Sequence, residues 1–337
     1  MVNPGQKNVL MEIFMRKILL ASTALVAVAG ISAASAEITF SGSADFTYTS
    51  ISDDQTDNAS AGENGTDMTA DSQLAASYST TTDTGLAISV AYDVDANSGD
   101  WSIAGDWGTF TFDEGSEAMG TGAGDADSVS NMSFGMSPEY GGGNDISGGE
   151  IAYSNTVGPI SFAIGFGDVG NSSTANETSY GASYSASVNG ADVSIGYAAA
   201  NTSAASTTAS DTDVSASSMS VGVTVGSIGV AMAQNATKND RVDDNASATG
   251  TRDMKSTNFG VTYAVSDSLT LEAASIAATG TIAGDSTYKY DESAYGVAYT
   301  VATGLSLTVS YSDFTQSGGG QTDTSGSATM VDLSVSF

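Results

Sequence analysis

The sequence predicts an all-β protein, a transmembrane antiparallel β-barrel of sixteen strands, and three observations lead to this prediction. Short runs that alternate apolar with small or polar residues recur along the chain after residue 36. Short and long links between these runs alternate strictly, and the number of runs is even. Because neighbouring side chains in a strand point to opposite faces, such a run offers one face to lipid and the other to water.

Each predicted strand is a short run in which apolar residues recur at every second position. The run that starts at Leu305, for example, alternates apolar residues with Ser or Thr as far as Tyr311. The predicted strands are 37–51, 68–81, 86–96, 100–105, 109–114, 149–156, 160–169, 177–187, 192–200, 213–225, 229–236, 255–264, 269–278, 289–301, 305–315 and 327–337.

Links of two lengths separate these strands. Asn189-Gly190, in one short link, is a favoured pair for a two-residue hairpin turn. Barrels with short periplasmic turns and long outer loops have this rhythm, and both termini then lie on the periplasmic side. A soluble all-β repeat protein would show the alternation but would not explain the rhythm. The predicted short links are 82–85, 106–108, 157–159, 188–191, 226–228, 265–268 and 302–304.

Residues 1–36 have the composition of an export signal. Basic residues at Arg16 and Lys17 precede an apolar run over 18–31, and small residues ending at Ala36 form a cleavage site. The apolar run is too short to span a membrane comfortably. We therefore expect residues 1–14 to be an upstream extension or a mis-assigned start, 15–36 a cleaved signal peptide, and 37–337 the barrel.

The composition excludes several classes of function. The chain has 8 basic and 39 acidic residues; without residues 1–36, which hold three of the basic residues and one acidic residue, 5 and 38 remain, a net charge of −33. This charge argues against nucleic acid and anionic lipid surfaces as partners and favours small cations. Cysteine and histidine are both absent, which excludes disulfides and catalysis by a Ser-His-Asp or Cys-His system.

The longest link, between the fifth and sixth predicted strands, is acidic and contains no base. It also carries Phe134 and Met136, which an external loop does not need, and the sequence Gly-Gly-Asn-Asp-Ile over 142–146. We interpret 115–148 as a loop that lines a constriction. The candidate constriction residues are Asp113, Glu114, Glu117, Asp125, Asp127, Glu139, Asn144 and Asp145.

The combination of export signal, link rhythm, long fifth-to-sixth link and terminal Phe337 resembles the Gram-negative general-diffusion porins, especially the alphaproteobacterial type. The resemblance spans nearly the whole chain. It implies a water-filled barrel of sixteen strands whose third loop folds into the lumen, a homotrimer in the outer membrane, and passive diffusion of ions and small hydrophilic solutes. It also implies no enzymatic activity, and a role for the terminal aromatic residue in recognition by the barrel-assembly machinery.

The chain departs from the family in one feature, because porins of this type often face the acidic loop with a basic wall. Only five basic residues follow residue 36. A passage lined mainly by carboxylates concentrates cations and repels anions, so the sequence predicts cation preference. The available counter-charges are Lys238, Arg241, Arg252, Lys255 and Lys289.

Two alternatives to a channel stay open at this point. One is a surface barrel that does not conduct, such as a structural protein or an adhesin. The other is a soluble acidic protein that binds calcium, since Asp93, Asp95 and Asn97 place oxygen atoms at alternate positions, as calcium loops do. That pattern departs from an EF-hand, which has Gly at its sixth position where this chain has Ser98. We expect no other cofactor.

Overall fold

A computed structural model of the chain describes residues 37–53, 65–94, 98–112, 151–167, 176–203, 214–239, 252–282, 286–318 and 323–337. All regular secondary structure in these ranges is β-strand. Within them, no helix has the length and apolar character that would let it cross a membrane.

The described residues form sixteen strands, and each overlaps one of the predicted runs. The first eight are β1 (Glu37–Asp53), β2 (Gly65–Thr81), β3 (Ala87–Asp93), β4 (Ser98–Gly105), β5 (Gly108–Phe112), β6 (Ile151–Val157), β7 (Ile160–Gly167) and β8 (Asn176–Val188). The remaining eight are β9 (Ala191–Ser203), β10 (Val214–Val225), β11 (Ile228–Asn239), β12 (Arg252–Ser266), β13 (Leu269–Ile282), β14 (Ser286–Ala302), β15 (Leu305–Gly318) and β16 (Thr324–Ser336).

The strands close into one antiparallel barrel, which confirms the predicted fold. Each strand pairs with its neighbours in sequence, and β1 pairs with β16. At the seam the Cα register runs from Ser43 opposite Ser336 to Asp53 opposite Gly326. A closed barrel leaves no unpaired strand edge, which is the condition for a sheet to cross a bilayer.

The two ends of the barrel differ in their links, but the predicted strict alternation of short and long links is not complete. The links 94–97 and 283–285 are short although they lie at the end that carries the long links, such as 113–150. At one end, links of two to five residues join the strands within each pair, such as Asn189-Gly190 between β8 and β9. Asn189 has φ 54° and Gly190 has φ 82°, the two positive values that a type I′ hairpin turn requires. Gly304, between β14 and β15, has φ 74°, and a Cβ there would lie 2.3 Å from the carbonyl oxygen of Ser336.

The two faces of the barrel wall are distinguished by strand parity. On β7 the side chains of Ala163, Gly165 and Gly167 are buried, while those of Ile164 and Phe166 are exposed. Residues that are Cα partners on neighbouring strands point to the same face, so the buried phase of β7 continues on β6 and β8. We assign the buried phase to the barrel interior, because exposed apolar side chains of the other phase suit a surface surrounded by lipid.

The outward phase forms an apolar band that starts at the short-link end. On β15 it runs through Leu305, Leu307, Val309 and Tyr311 before Asp313 ends it. Aromatic side chains with roughly two-fifths of their surface exposed recur in this band, as in the aromatic girdles of membrane barrels. They include Tyr92, Trp101, Phe110, Phe166, Tyr180, Tyr197, Tyr263, Tyr299 and Tyr311.

Candidate functional site

Carboxylates line the inner face of the barrel, and strand parity determines which ones. Asp332 on β16, for example, lies between Val331 and Leu333, and the apolar neighbours take the outward phase. Nine acidic side chains among the described residues have inward parity. These are Asp45, Asp67, Asp71, Asp93, Asp100, Asp192, Glu272, Glu292 and Asp332.

The densest group of these carboxylates lies at the seam, on β16, β1 and β2. Asp45 and Asp71 are direct Cα partners, so their Cα atoms lie about 5 Å apart. Asp332 is the Cα partner of Thr47, one inward position farther along β1. Three negative charges therefore face the lumen within two inward positions of each other.

Hydroxyl groups beside these carboxylates hold two of them in place. Thr47 Oγ1 donates a hydrogen bond of 2.8 Å to Asp332 Oδ2. Ser334 Oγ donates a hydrogen bond to Asp45 Oδ1. Such bonds orient each carboxylate within the wall.

A second inward pair lies on β3 and β4, and two carboxylates that are not Cα partners, Glu272 and Glu292, lie apart on β13 and β14. Asp100 is the Cα partner of Ala91, two residues from Asp93, which makes the two carboxylates diagonal neighbours. Glu272 and Glu292 are 6% and 5% exposed. Tyr290, also inward, donates a hydrogen bond of 2.7 Å to Glu292 Oε2.

The inner wall is recessed near the short-link end of β8–β15. A recess of about 580 Å³ lies against Asp192, Ser194, Gly222 and other small residues of β8–β12. It shares Gly229 and two hydroxyl residues with a second recess of about 430 Å³ that extends to β15. Because most inward residues that line the two recesses are Gly, Ala, Ser or Thr, the wall at this end of the strands has few bulky groups. Larger inward side chains, such as Tyr290 and Phe314, lie nearer the long-link end.

The lysines that the structure describes lie on the opposite face of the wall. Lys238, Lys255 and Lys289 have outward parity and exposed side chains. They therefore do not stand where a counter-charge to the third loop would be needed. Arg252 is the first residue of β12, the structure describes only its backbone, and Arg241 lies outside the described residues. Among the described side chains, no lysine or arginine faces the lumen.

The residues predicted to form the third loop connect β5 to β6, the fifth and sixth strands. All eight candidate constriction residues, from Asp113 to Asp145, lie outside the residues that the structure describes.

The calcium pattern is described only in part. Asp93 faces the lumen from the end of β3, while Asp95 and Asn97 lie outside the described residues. Among the described residues, no three His, Cys, Asp or Glu side chains are arranged to hold a metal ion. Calcium binding in this link stays a prediction.

The terminal residue lies on the outer face of the seam. The Phe337 side chain is 73% exposed. Its backbone exchanges two hydrogen bonds with Gly42 of β1, Gly42 N to Phe337 O at 2.9 Å and Phe337 N to Gly42 O at 3.0 Å. A Cβ on Gly42 would lie 2.5 Å from Phe337 Cζ, so the aromatic ring lies across the glycine.

The position of a charged residue within an alternating run of the sequence already predicts, in most cases, whether it lies on the inner or the outer face. Asp332, Asp45 and Asp71 alternate with apolar or small residues in runs that the sequence predicts as strands. The same rule assigns Lys255 to the outer face, because it shares parity with Phe259. What parity does not give is the proximity of Asp45 to Asp71, which depends on the register between β1 and β2.

A protein-family profile matches nearly the whole chain. The profile of the family described as Gram-negative porin matches residues 21–336. Among curated protein sequences, none matches the chain significantly.

Solved structures with the same fold include three porins or outer-membrane proteins. OmpT of Vibrio cholerae, in its trimer form, is 15% identical, with a TM-score of 0.62 over 90% of this chain and 99% of that one. A porin refined at 1.8 Å is 17% identical, with a TM-score of 0.61 over 89% and 100%. The anion-selective porin from Comamonas acidovorans is 14% identical, with a TM-score of 0.61 over 90% and 100%. At these identities the likeness concerns the fold.

Proposed function

The chain belongs to the Gram-negative porin family, and we propose that it is a passive diffusion channel for ions and small hydrophilic solutes that prefers cations. The family and the closed barrel support an outer-membrane channel that performs no chemistry. The observation that carries the cation preference is the charge of the inner wall. Nine described carboxylates face the lumen, and no described lysine or arginine does.

The physical reason is the field inside a narrow passage. Protein and lipid around the lumen have a low dielectric constant, so fixed charges of one sign raise the local concentration of counter-ions. Cations are then enriched and anions excluded, and the effect weakens as added salt screens the wall. The fold alone does not decide the sign, because a porin with this fold is described as anion-selective.

The third loop is the proposed constriction. Residues 113–150 carry eight carboxylates and no base, and the loop leaves the barrel between β5 and β6. If it enters the lumen, it adds negative charge to a wall that is already acidic. The preference for cations would then be set at two levels, the described wall and the loop.

Ion selectivity in planar bilayers tests this function directly. We expect discrete conductance steps, and a reversal potential in a KCl gradient that corresponds to K⁺ over Cl⁻. The preference should be stronger at 0.1 M than at 1 M salt, since the screening length falls from about 10 Å to about 3 Å. Anion selectivity would overturn the charge argument, and a barrel that inserts without conducting would overturn the channel.

We further propose a homotrimer surrounded by outer-membrane lipid. Within the described residues, strands β3–β7 span 5–8 residues each. Aromatic side chains cover their outer face. The ring centroids of the stacked pair Trp101 and Phe112 lie 3.9 Å apart, and those of Phe110 and Tyr153 lie 5.1 Å apart. An aromatic surface of this kind suits contact between subunits. The mass of the detergent-solubilised protein, measured by light scattering with correction for detergent, should be that of three chains.

Phe337 is the proposed recognition residue for the barrel-assembly machinery, after export through a cleaved signal peptide. Its exposed ring at the short-link rim supports this role. Phe337→Asp should lower the amount of inserted barrel and leave the conductance of each inserted channel unchanged. Ser336→Asp is the matched control, because Ser336 has inward parity. Equal insertion of Phe337→Asp and wild type would count against this role.

A further inference from the structure

The second of the two recesses in the inner wall contains one buried carboxylate. It measures about 430 Å³ and lies at the short-link end of β11–β15. Glu272 of β13 lines this recess and is 6% exposed. The volume falls within the range of about 300 to 1,000 Å³ that small-molecule sites have. Because a carboxylate is rarely buried to this extent, Glu272 marks the recess as a candidate binding site.

The residues beside Glu272 leave space on one side of its carboxylate. Glu272 is the Cα partner of Gly296 on β14, and Gly296 is the Cα partner of Ser310 on β15. Two strand spacings of about 4.8 Å, roughly 10 Å in all, therefore separate Glu272 from Ser310, with no side chain between them. On the other side, Glu272 is the Cα partner of Thr262, which also lines the recess. A donor group that lies over Gly296 can reach a carboxylate and a hydroxyl at once.

The hydroxyl group of Ser310 is buried without a hydrogen-bond partner. Ser310 is 2% exposed, and its Oγ has no partner in the part of the chain that the structure describes. Its inward parity directs this hydroxyl toward the space over Gly296. Buried hydroxyl groups are nearly always hydrogen-bonded, because burial without a partner costs free energy. Ser310 therefore points to a ligand at the edge of the recess, independently of the carboxylate.

Two β-bulges lie at the same recess. The pairing of β12 with β13 shifts register between Ala264 and Ser266, and that of β14 with β15 shifts between Thr300 and Ala302. Ala264 and Thr300 both line the recess. The other described strand pairs keep a continuous register. Because bulges redirect side chains and are frequent at barrel rims and beside active sites, the irregularity fits a wall that is shaped here for a solute.

The groups that line the recess define the kind of solute that fits. Its charged residues are Glu272 and, in a short link, Asp267, and it contains no lysine or arginine. Its other polar groups are mainly Ser and Thr hydroxyls, which both donate and accept hydrogen bonds. Tyr299 has outward parity, so no aromatic ring faces a solute here. Since no three acidic side chains among the described residues are arranged to hold a metal ion, an organic cation with hydroxyl groups suits the recess better.

We infer that this recess binds small amines that carry several hydroxyl groups, such as a hexosamine. The ammonium group lies over Gly296 and donates hydrogen bonds to Glu272 and Ser310, while the hydroxyl groups of the solute contact the serines and threonines of the wall. The inference rests on the proposed channel, because the solute reaches the recess through the lumen. It adds to the general preference for cations one position at which a particular class of solute is held.

The dissociation constant of glucosamine, measured by ligand-observed NMR with the full barrel in uncharged detergent, tests the inference. At about pH 6 the amine is protonated. Glu272→Gln should bind glucosamine at least roughly tenfold more weakly than wild type, because a hydrogen bond to a charged group is lost. Ser310→Ala keeps the carboxylate and should bind about threefold more weakly, so it tests the same contact if Glu272→Gln fails to fold.

Glu292→Gln is the matched control. Glu292 is an inward glutamate that is 5% exposed, and it does not line the recess. Both glutamine variants remove one luminal charge and should lower cation selectivity alike, whereas only Glu272→Gln should lose affinity for glucosamine. Glucose and N-acetylglucosamine lack the charge and should bind wild type at least roughly tenfold more weakly. Equal losses in the two glutamine variants, or equal binding of glucose, would overturn the site.

Conductance separates this site from the proposed channel. A barrel that conducts, but has the same affinity for glucosamine in wild type and in Glu272→Gln, would overturn the site and leave the channel. A barrel that binds glucosamine through Glu272 in detergent, but does not conduct in a planar bilayer, would overturn the channel and leave the site.

Discussion

The inner and outer faces of the barrel are built from the same strands and carry different charge. Nine described carboxylates face inward, while Asp253, Asp291 and Asp313 face outward together with all three described lysines. Adjacent residues such as Thr308 and Val309 therefore belong to different environments. The net charge of the chain therefore does not give the charge of either face. The charged residues on each face have to be identified from strand parity.

The largest expected effect comes from placing one charge on either face of the same strand. Val309 is 40% exposed in the apolar band, and Thr308 has inward parity opposite Asp332. Val309→Arg should lower the free energy of unfolding by about 2 to 4 kcal/mol, because arginine would face hydrocarbon. Thr308→Arg should change it by less than about 0.5 kcal/mol, since the side chain enters a polar lumen. Urea unfolding in lipid vesicles measures both, and equal losses would contradict the assignment of the two faces.

A smaller effect, on selectivity alone, should follow from neutralising carboxylates on one face at a time. Asp45→Asn/Asp71→Asn/Asp332→Asn removes three inward charges and should lower the ratio of K⁺ to Cl⁻ permeability by roughly two- to threefold. The matched outer variant, Asp253→Asn/Asp291→Asn/Asp313→Asn, should leave it unchanged. Reversal potentials at 0.1 M salt distinguish the two. A larger change in the outer variant would show that the lumen is not where selection occurs.

Strand positions were predictable from the sequence because period-two alternation is a local signal. All sixteen predicted runs overlap observed strands, and the Asn189-Gly190 turn has the expected backbone. The long-link ends were less predictable. β13 continues to Ile282 and β14 begins at Ser286, beyond the apolar pattern. In these polar ends the strand is continued by hydrogen bonds between backbones. The side chains no longer alternate between apolar and polar, so the sequence does not show where the strand ends.

The charged residues show the same division between local and long-range information. The predicted strands 229–236 and 255–264 leave Lys238 in a link and put Lys255 at the start of a strand, whereas Lys238 lies on β11 and Lys255 inside β12. Once the strands are extended, parity assigns both lysines to the outer face. The cluster of Asp45, Asp71 and Asp332 depends instead on the register between β1 and its two neighbours. That register joins residues almost 290 positions apart, which no local pattern can specify.

The smallest expected effect concerns the outer face at the seam between β1 and β16, where an aromatic ring packs over a glycine. The ring of Phe337 lies across Gly42, and a Cβ at this glycine would lie 2.5 Å from Cζ and 2.8 Å from Cε2 of the ring. Gly42→Ala should therefore lower the free energy of unfolding by about 1 kcal/mol as the ring moves aside. Urea unfolding of the refolded barrel measures this change.

A double-mutant cycle identifies the cause of that change. In a Phe337→Ala background the ring is absent, so Gly42→Ala should have almost no cost and could gain a few tenths of a kcal/mol, because glycine weakens a strand. A cost that persists without the ring would instead implicate the backbone oxygen of Gln73, 3.1 Å from the same Cβ position. If the coupling is present, closure of the barrel depends on an aromatic ring that covers a glycine on the neighbouring strand. The terminal residue would then stabilise the folded seam independently of any role in assembly.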